Sequence, residues 1–337
     1  MADQIKPSLH TLSTELIYRI FSYLDDFNIF CTMQNVCTSI NATLDNYRRY
    51  KTLTTLQLCN RKMGLHGIEP LSNTLKQNKT VTTLDIGINQ IDDKGAYYIA
   101  DALGQNQTLN ILNLQLNHIG PQGAEYLANS LQQNQTLTRL NLHYNQLGDE
   151  GAQHLASALE HNKTLTRLNL IRNEIGEKGA YHLSNALQLN KTLTTFYIAE
   201  NKIGDPGAQY IAKALQINQT LTILYVAQNQ IGDEGAQHFA NALRQNRTLT
   251  TLSLKANHIS NQGACYLANA LLENNTLTTL NLKWNEIGDQ GASHFANALR
   301  QNETLIFLDI RYNIMSDDGK NELLEIRNYD PGLKLII

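Results

Sequence analysis

Four cysteines in 337 residues, Cys31, Cys37, Cys59 and Cys265, are too few and too irregular for a disulfide framework, and none forms a CxxC pair of the zinc-holding kind. Such usage fits a reducing compartment. No run of about 18 apolar residues occurs, which excludes a membrane-spanning helix. The segment from Met1 to His10 has no apolar core of secretory-leader length. Neither sign of charge dominates: 27 basic and 30 acidic residues leave a formal net charge of −3, so the overall field invites neither nucleic acid nor an anionic membrane. Catalytic signatures are also missing, with no nucleophile beside a base, no phosphate loop and no carboxylate pair standing out. The expectation is a soluble cytoplasmic or nuclear protein that is not an enzyme and needs no cofactor or metal.

What is present is repetition. A 28-residue unit recurs ten times, with Asn89, Asn117, Asn145, Asn173, Asn201, Asn229, Asn257, Asn285 and Asn313 in register and a glycine six residues after each, from Gly95 to Gly319. Within the unit Leu137 to Thr164, Leu140 and Leu142 alternate with polar residues, which predicts a short half-buried strand. Ala152, Leu155, Ala156 and Leu159 then share one helical face. Asp149, Asp205, Asp233 and Asp289 stand where helix N-caps are expected, and Pro206 suits a first helical position. The recurrent asparagine ends the strand, where its amide can satisfy backbone groups of the turning chain. The pattern LxxLxLxxN at this period resembles leucine-rich repeats of the ribonuclease-inhibitor-like subclass, over residues 51–337. The resemblance implies an α/β horseshoe solenoid with parallel strands inside and helices outside; strands stack at about 4.8 Å and helices at about 8–10 Å, so the array bends toward its strands.

The ends differ. Arg61 replaces the asparagine of the first unit, with Met63 and Pro70 nearby, as in a cap. Leu333 and Ile336 fall one period after Leu305 and Leu308, predicting a partial eleventh repeat whose strand is either covered or followed by more chain.

Residues 1–50 lack the repeat. Leu12, Leu16, Ile20 and Leu24 recur at steps of four, with Ile29, Met33, Val36 and Ile40 continuing an apolar stripe. About 40 residues bury too little to stand alone, so a second surface should cover that stripe. The run LSTELIYRIFSYLDDFNIF, followed by Val36 and Cys37, is similar to the F-box family. That resemblance implies docking onto the Skp-type adaptor of a cullin ubiquitin ligase through Leu12, Glu15, Leu16, Ile20, Leu24 and Ile29, with the repeats selecting the substrate. The alternative for this module is a helical cap on the first repeat.

Residues two, four and six before each asparagine are expected to line the concave face, joined by the residue just before it. Two clusters break the polar monotony: Arg139, His143, Tyr144, Arg167, Arg172, Tyr197, Glu200 and Tyr225 in the centre, and Lys255, Lys283, Trp284, Arg311 and Tyr312 toward the end. Trp, Tyr and Arg commonly anchor protein interfaces, and the terminal cluster suits an acidic or phosphorylated segment.

Other signals are structural. Asn-x-Thr at Asn106, Asn134, Asn162, Asn190, Asn218 and Asn246 reads as left-handed helix C-caps followed by strand residues, not as glycosylation sites. His154, His182, His238 and His294 share a helix column with tyrosines and lie too far apart to ligate one metal. Three functions follow: substrate receptor of an F-box ubiquitin ligase; stand-alone binding or sensing scaffold resembling ribonuclease inhibitor; and a Ran-type GTPase activator in which Asn145 or Arg172 would sit at the repeat edge.

Overall fold

The computed structural model describes residues 14–25, 28, 52–326 and 332–337. Within them eleven three-residue strands, from β1 (Thr55–Gln57) to β11 (Lys334–Ile336), form one parallel sheet in strict chain order. A helix follows each of the first ten strands, the first spanning Gly64–Gln77 and the tenth Asp317–Glu325. β4 (Arg139–Asn141) pairs with β5 (Arg167–Asn169) through Arg139 opposite Arg167, and the 28-residue register holds from β1 to β10 (Phe307–Asp309). Strand and helix alternate as the 2-residue and 3.6-residue periodicities predict.

Each unit closes a slab of one continuous core. Leu140, Leu142, Leu147, Leu155 and Leu159 of the fourth repeat are all at most 2% exposed, and Ala152 and Ala156 are buried between helix and sheet. Burying one such leucine contributes about 1.5–3 kcal/mol. Because neighbouring slabs share their faces, each stabilises the next.

The asparagine column works as expected. In Asn117 the Nδ2 donates to the carbonyls of Ile86 and Leu114, while Oδ1 accepts the backbone N–H groups of Asn89 and Ile91 at 2.9 and 3.0 Å. The ladder is interrupted twice: Asn173 Oδ1 and Asn229 Oδ1 are buried and lack a partner. In the repeat before each, a glycine at positive φ, Gly148 or Gly204, turns its N–H onto the backbone carbonyl of Asn173 or Asn229 instead.

Three sequence expectations are corrected. The aspartates Asp149, Asp205, Asp233 and Asp289 do not cap their own helices. They lie inside the first turn and reach the next helix, as Asp149 Oδ1 does by accepting from Gly176 and Gly179 at 2.7 and 2.9 Å. Pro206 is correspondingly the third residue of Gly204–Ile217, still within the turn whose N–H groups need no intrahelical partner. The second asparagine column is not left-handed: Asn162 has φ −69° and ψ 131°, extended backbone running into the next strand. Its Oδ1 accepts from Thr164 and Leu165 and its Nδ2 donates at 2.7 Å to Leu131 O, an orphan carbonyl of the preceding helix, so these asparagines cap their neighbours. Finally β11 pairs with β10 one residue early, Leu308 opposite Leu335, so the buried side chain is Leu335 and not Ile336.

The N-terminal helix α1 (Thr14–Tyr23) precedes the array. Among its described side chains Ile17 is buried, at 1% exposure, while Leu16 is 43% exposed and Ile20 and Leu24 are half-buried. A step of four residues turns the helix by about 40° more than a full circle, so the stripe from Leu16 to Leu24 walks around α1 rather than facing one side. Asp25 ties this segment to the first repeat: its carboxylate accepts Arg61 Nη1 at 2.9 Å, which gives the residue that displaces the asparagine a role. Both partners are at least 40% exposed, and such a pair contributes about 1 kcal/mol or less. Among the described residues no helix is long and apolar enough to cross a membrane.

Candidate partner-binding face

A three-residue strand presents its first and third side chains on the face away from the helices. The position two before the asparagine continues that face into the turn. The residue just before the asparagine is left-handed in every repeat that carries the asparagine, from Ile88 at φ 56° through Tyr144 at 58° to Trp284 at 58° and Tyr312 at 54°. No glycine occupies the column, although this backbone region disfavours side chains by about 1–2 kcal/mol. The strain is sustained by the asparagine hydrogen bonds on its C-terminal side, and it turns each of these side chains toward the sheet edge.

The central cluster divides into two groups. In the first, the Arg172 guanidinium lies 4.2 Å from the Tyr144 ring centroid and Nη1 approaches Glu200 at 3.8 Å, with His143 edge-on to Tyr144. Burial holds the His143 imidazole below its ordinary pKa; the charge of Glu200 opposes this and that of Arg172 adds to it. In the second, Tyr197 and Tyr225 contact across β6 (Thr195–Tyr197) and β7 (Ile223–Tyr225), ring centroids 5.0 Å apart. Burial, helped by the neighbouring Tyr197, raises the Tyr225 phenol. Arg139 and Arg167 stand beside this pair over a recess of about 270 Å³.

At the far end Lys255 and Lys283 place their ammonium groups 5.0 Å from the Trp284 ring centroid, and Lys283 lies 4.9 Å from that of Tyr312. Trp284 and Tyr312 remain 48% and 64% exposed. The basic row expected here is shorter by one: Arg311 forms a two-pronged pair with Asp309, 3.0 Å from Nε to Oδ1 and 2.8 Å from Nη2 to Oδ2. Burial raises the Asp309 carboxyl, but the hydrogen bonds and charge of Arg311 outweigh it and leave the pKa lowered.

A groove of about 1140 Å³ follows the edge from Asn60 to His258. Besides the left-handed column it is walled by the residue after each asparagine, including His118, Gln146, Glu174 and Lys202, which the sequence pattern did not single out. Their signal was faint: a polar position of changing identity between an invariant asparagine and a buried Ile or Leu. Asn145 itself is 4% exposed, with Nδ2 donating to the carbonyls of Leu114 and Leu142 and Oδ1 accepting from Ile119, so its amide is committed to the backbone ladder.

Of the adaptor-docking residues, Leu12 and Ile29 lie outside the described residues; Glu15 and Leu16 are exposed, and Ile20 and Leu24 are half-buried on or just beyond α1. The Asn-x-Thr asparagines are at most 5% exposed, consistent with their structural role. The histidine column alternates with Tyr98, Tyr126, Tyr210 and Tyr266 along the helices. No group of three or more His, Cys, Asp or Glu among the described residues is placed to hold a metal ion.

A leucine-rich-repeat family model matches residues 77–100, 105–128, 133–156 and 161–184, and the model of the tropomodulin and leiomodin leucine-rich domain matches 200–330. Neither reaches α1. Among solved structures, "Leiomodin-1 Actin-Binding Site 2 (ABS2)" is 21% identical, with 53% of this chain and 87% of that one aligned and a TM-score of 0.36. A Caenorhabditis elegans tropomodulin C-terminal domain is 15% identical over 43% of this chain and 89% of that one, with a TM-score of 0.37. Comparison with curated protein sequences gave no match. Period, strand register, asparagine ladder and family models agree that the chain is a leucine-rich-repeat protein.

Proposed function

We propose that this chain is a non-catalytic recognition scaffold of the cytoplasm or nucleus that holds a protein partner against its strand-lined face. The observation that carries this reading is the terminal cluster: Trp284 and Tyr312 stay about half exposed or more, yet are ordered by two lysines on a sheet whose backbone is strained to present them. Large aromatic surface held in place at low entropic cost is what interface anchors need. Capture from cytosol by the full chain, compared with Trp284→Ala and Tyr225→Asp variants, tests it. Loss of one specific partner in the variants supports the reading; an unchanged set of captured proteins defeats it. Actin, the partner for which the leiomodin fragment is named, belongs in that test as one defined bait.

A second reading retains the F-box: exposed Leu16 and Glu15 on α1, beside buried Ile17, offer an apolar and an acidic contact to a Skp-type adaptor. Recovery of the adaptor by the parent and not by Leu16→Asp would support it; no recovery by either removes it.

A further inference from the structure

Four arginines stand on the strand-lined face or its edge, and they are not treated alike. Arg311 is neutralised by Asp309, and Arg172 lies between the Tyr144 ring and Glu200. Arg139 and Arg167 have no such partner: both are exposed, they face each other in register on β4 and β5, and neither forms an ion pair with a described residue. Parallel strands stand about 4.8 Å apart. The two side chains thus leave the sheet from adjacent strand positions with like charge, and an anion bound between them would relieve their repulsion.

Besides the two arginines, the recess is lined by neutral polar and apolar residues. Asn113, Asn141 and Asn169 form its floor, each with Oδ1 already accepting a backbone N–H two residues on, from Gln115, His143 and Ile171 at 3.0 to 3.1 Å. With each amide oxygen engaged by the backbone, the Nδ2 groups are the donors these residues can add, that of Asn141 being shared with Gln115 Oε1 at 3.2 Å. The Tyr197 side closes one end, and no carboxylate lines the space.

We infer that Arg139 and Arg167 form a receptor for a phosphomonoester dianion carried on the partner's chain. Two planar forks and amide donors match an acceptor with three terminal oxygens and a charge near −2. A carboxylate would use one fork and leave the second charge uncompensated. The volume of about 270 Å³ admits an aromatic phosphate with its ring against Tyr197. This inference rests on the proposed role of the face in partner binding.

Calorimetric titration of the full chain with phenyl phosphate, inorganic phosphate and benzoate at one ionic strength tests it. Phenyl phosphate should saturate a single site, R139Q/R167Q should weaken it about tenfold or more, and K178Q, at an exposed helix position outside both clusters, should leave it unchanged, since charge-assisted pairs of this kind carry that much affinity. Benzoate binding as tightly as phenyl phosphate would overturn the phosphoryl assignment, and inorganic phosphate binding as tightly would overturn a chain-borne source. No saturable site, or equal loss in K178Q, would overturn the receptor itself. A thermal midpoint for R139Q/R167Q no lower than the parent's shows that the fold is intact; a lower one would mean the two charges are already compensated and would count against the site. If these titrations fail while Trp284→Ala still loses its captured partner, only the phosphoryl inference falls.

Discussion

Asp205 Oδ1 accepts the backbone N–H of Gly235 at 2.9 Å, although the two residues belong to different helices thirty positions apart. The carboxylate sits at the positive end of the neighbouring helix, where it satisfies orphan donors and complements the helix dipole. A Cβ on Gly235 would stand 2.6 Å from that oxygen and 2.6 Å from Ile231 Cγ2, so the recurrent glycine is there for close approach and not for an unusual φ.

Gly235→Ala should therefore destabilise the array by about 1–3 kcal/mol through overpacking, and Asp205→Ala by about 1–2 kcal/mol through loss of the cap. Urea unfolding followed by circular dichroism measures both. A double variant less destabilised than the sum of the singles would show that the two changes act at one contact.

The broken ladder separates asparagines that the sequence cannot distinguish. Asn117 Oδ1 accepts two backbone N–H groups, whereas Asn229 Oδ1 accepts none. Asn117→Ala should cost about 1–3 kcal/mol more than Asn229→Ala, because it strands buried donors. Equal unfolding midpoints would contradict the hydrogen-bond assignment.

The left-handed column predicts stabilising changes. Ile88 is β-branched at φ 56°, and Ile88→Gly should raise stability by about 1 kcal/mol. Trp284→Gly should also relieve backbone strain while abolishing partner capture, so that stability and binding move in opposite directions. Urea midpoints and the capture assay on the same preparations decide it.

Asp309 gives a pH dependence of known sign. Its folded-state pKa lies below the ordinary 3.8, so its contribution is present in full above that value and is lost as pH falls through the lower folded one. Asp309→Asn should flatten the acid limb of the stability profile below about pH 4, and should free Arg311 to strengthen binding of acidic peptides at the terminal cluster. An unchanged acid limb in the variant would show that the pair does not report on folding.

Much of this was legible in the chain. The period placed the strands, the helices and the asparagine ladder, because alternation and helical spacing directly record which side of each element faces the core. The two clusters were legible as departures from a repeating background. The N-terminal stripe was less so, since steps of four drift around a helix, and Ile17, off that stripe, is buried while Leu16 on it is exposed. Nor was the terminal register, in which Leu335 and not Ile336 stands opposite Leu308 and enters the core.

The sequence by itself determined that identical slabs would stack and which residues would fill them. Only the tertiary structure decided whom each polar group serves. Asp149 and Asn162 could cap their own helices or a neighbour's with the same composition and spacing. The choice depends on the offset between adjacent turns, and that offset is set by how closely leucines, alanines and glycines of successive repeats pack. The same packing leaves Arg139 and Arg167 side by side without a carboxylate while Arg311 finds one two residues away, a distinction of partners that no residue count records.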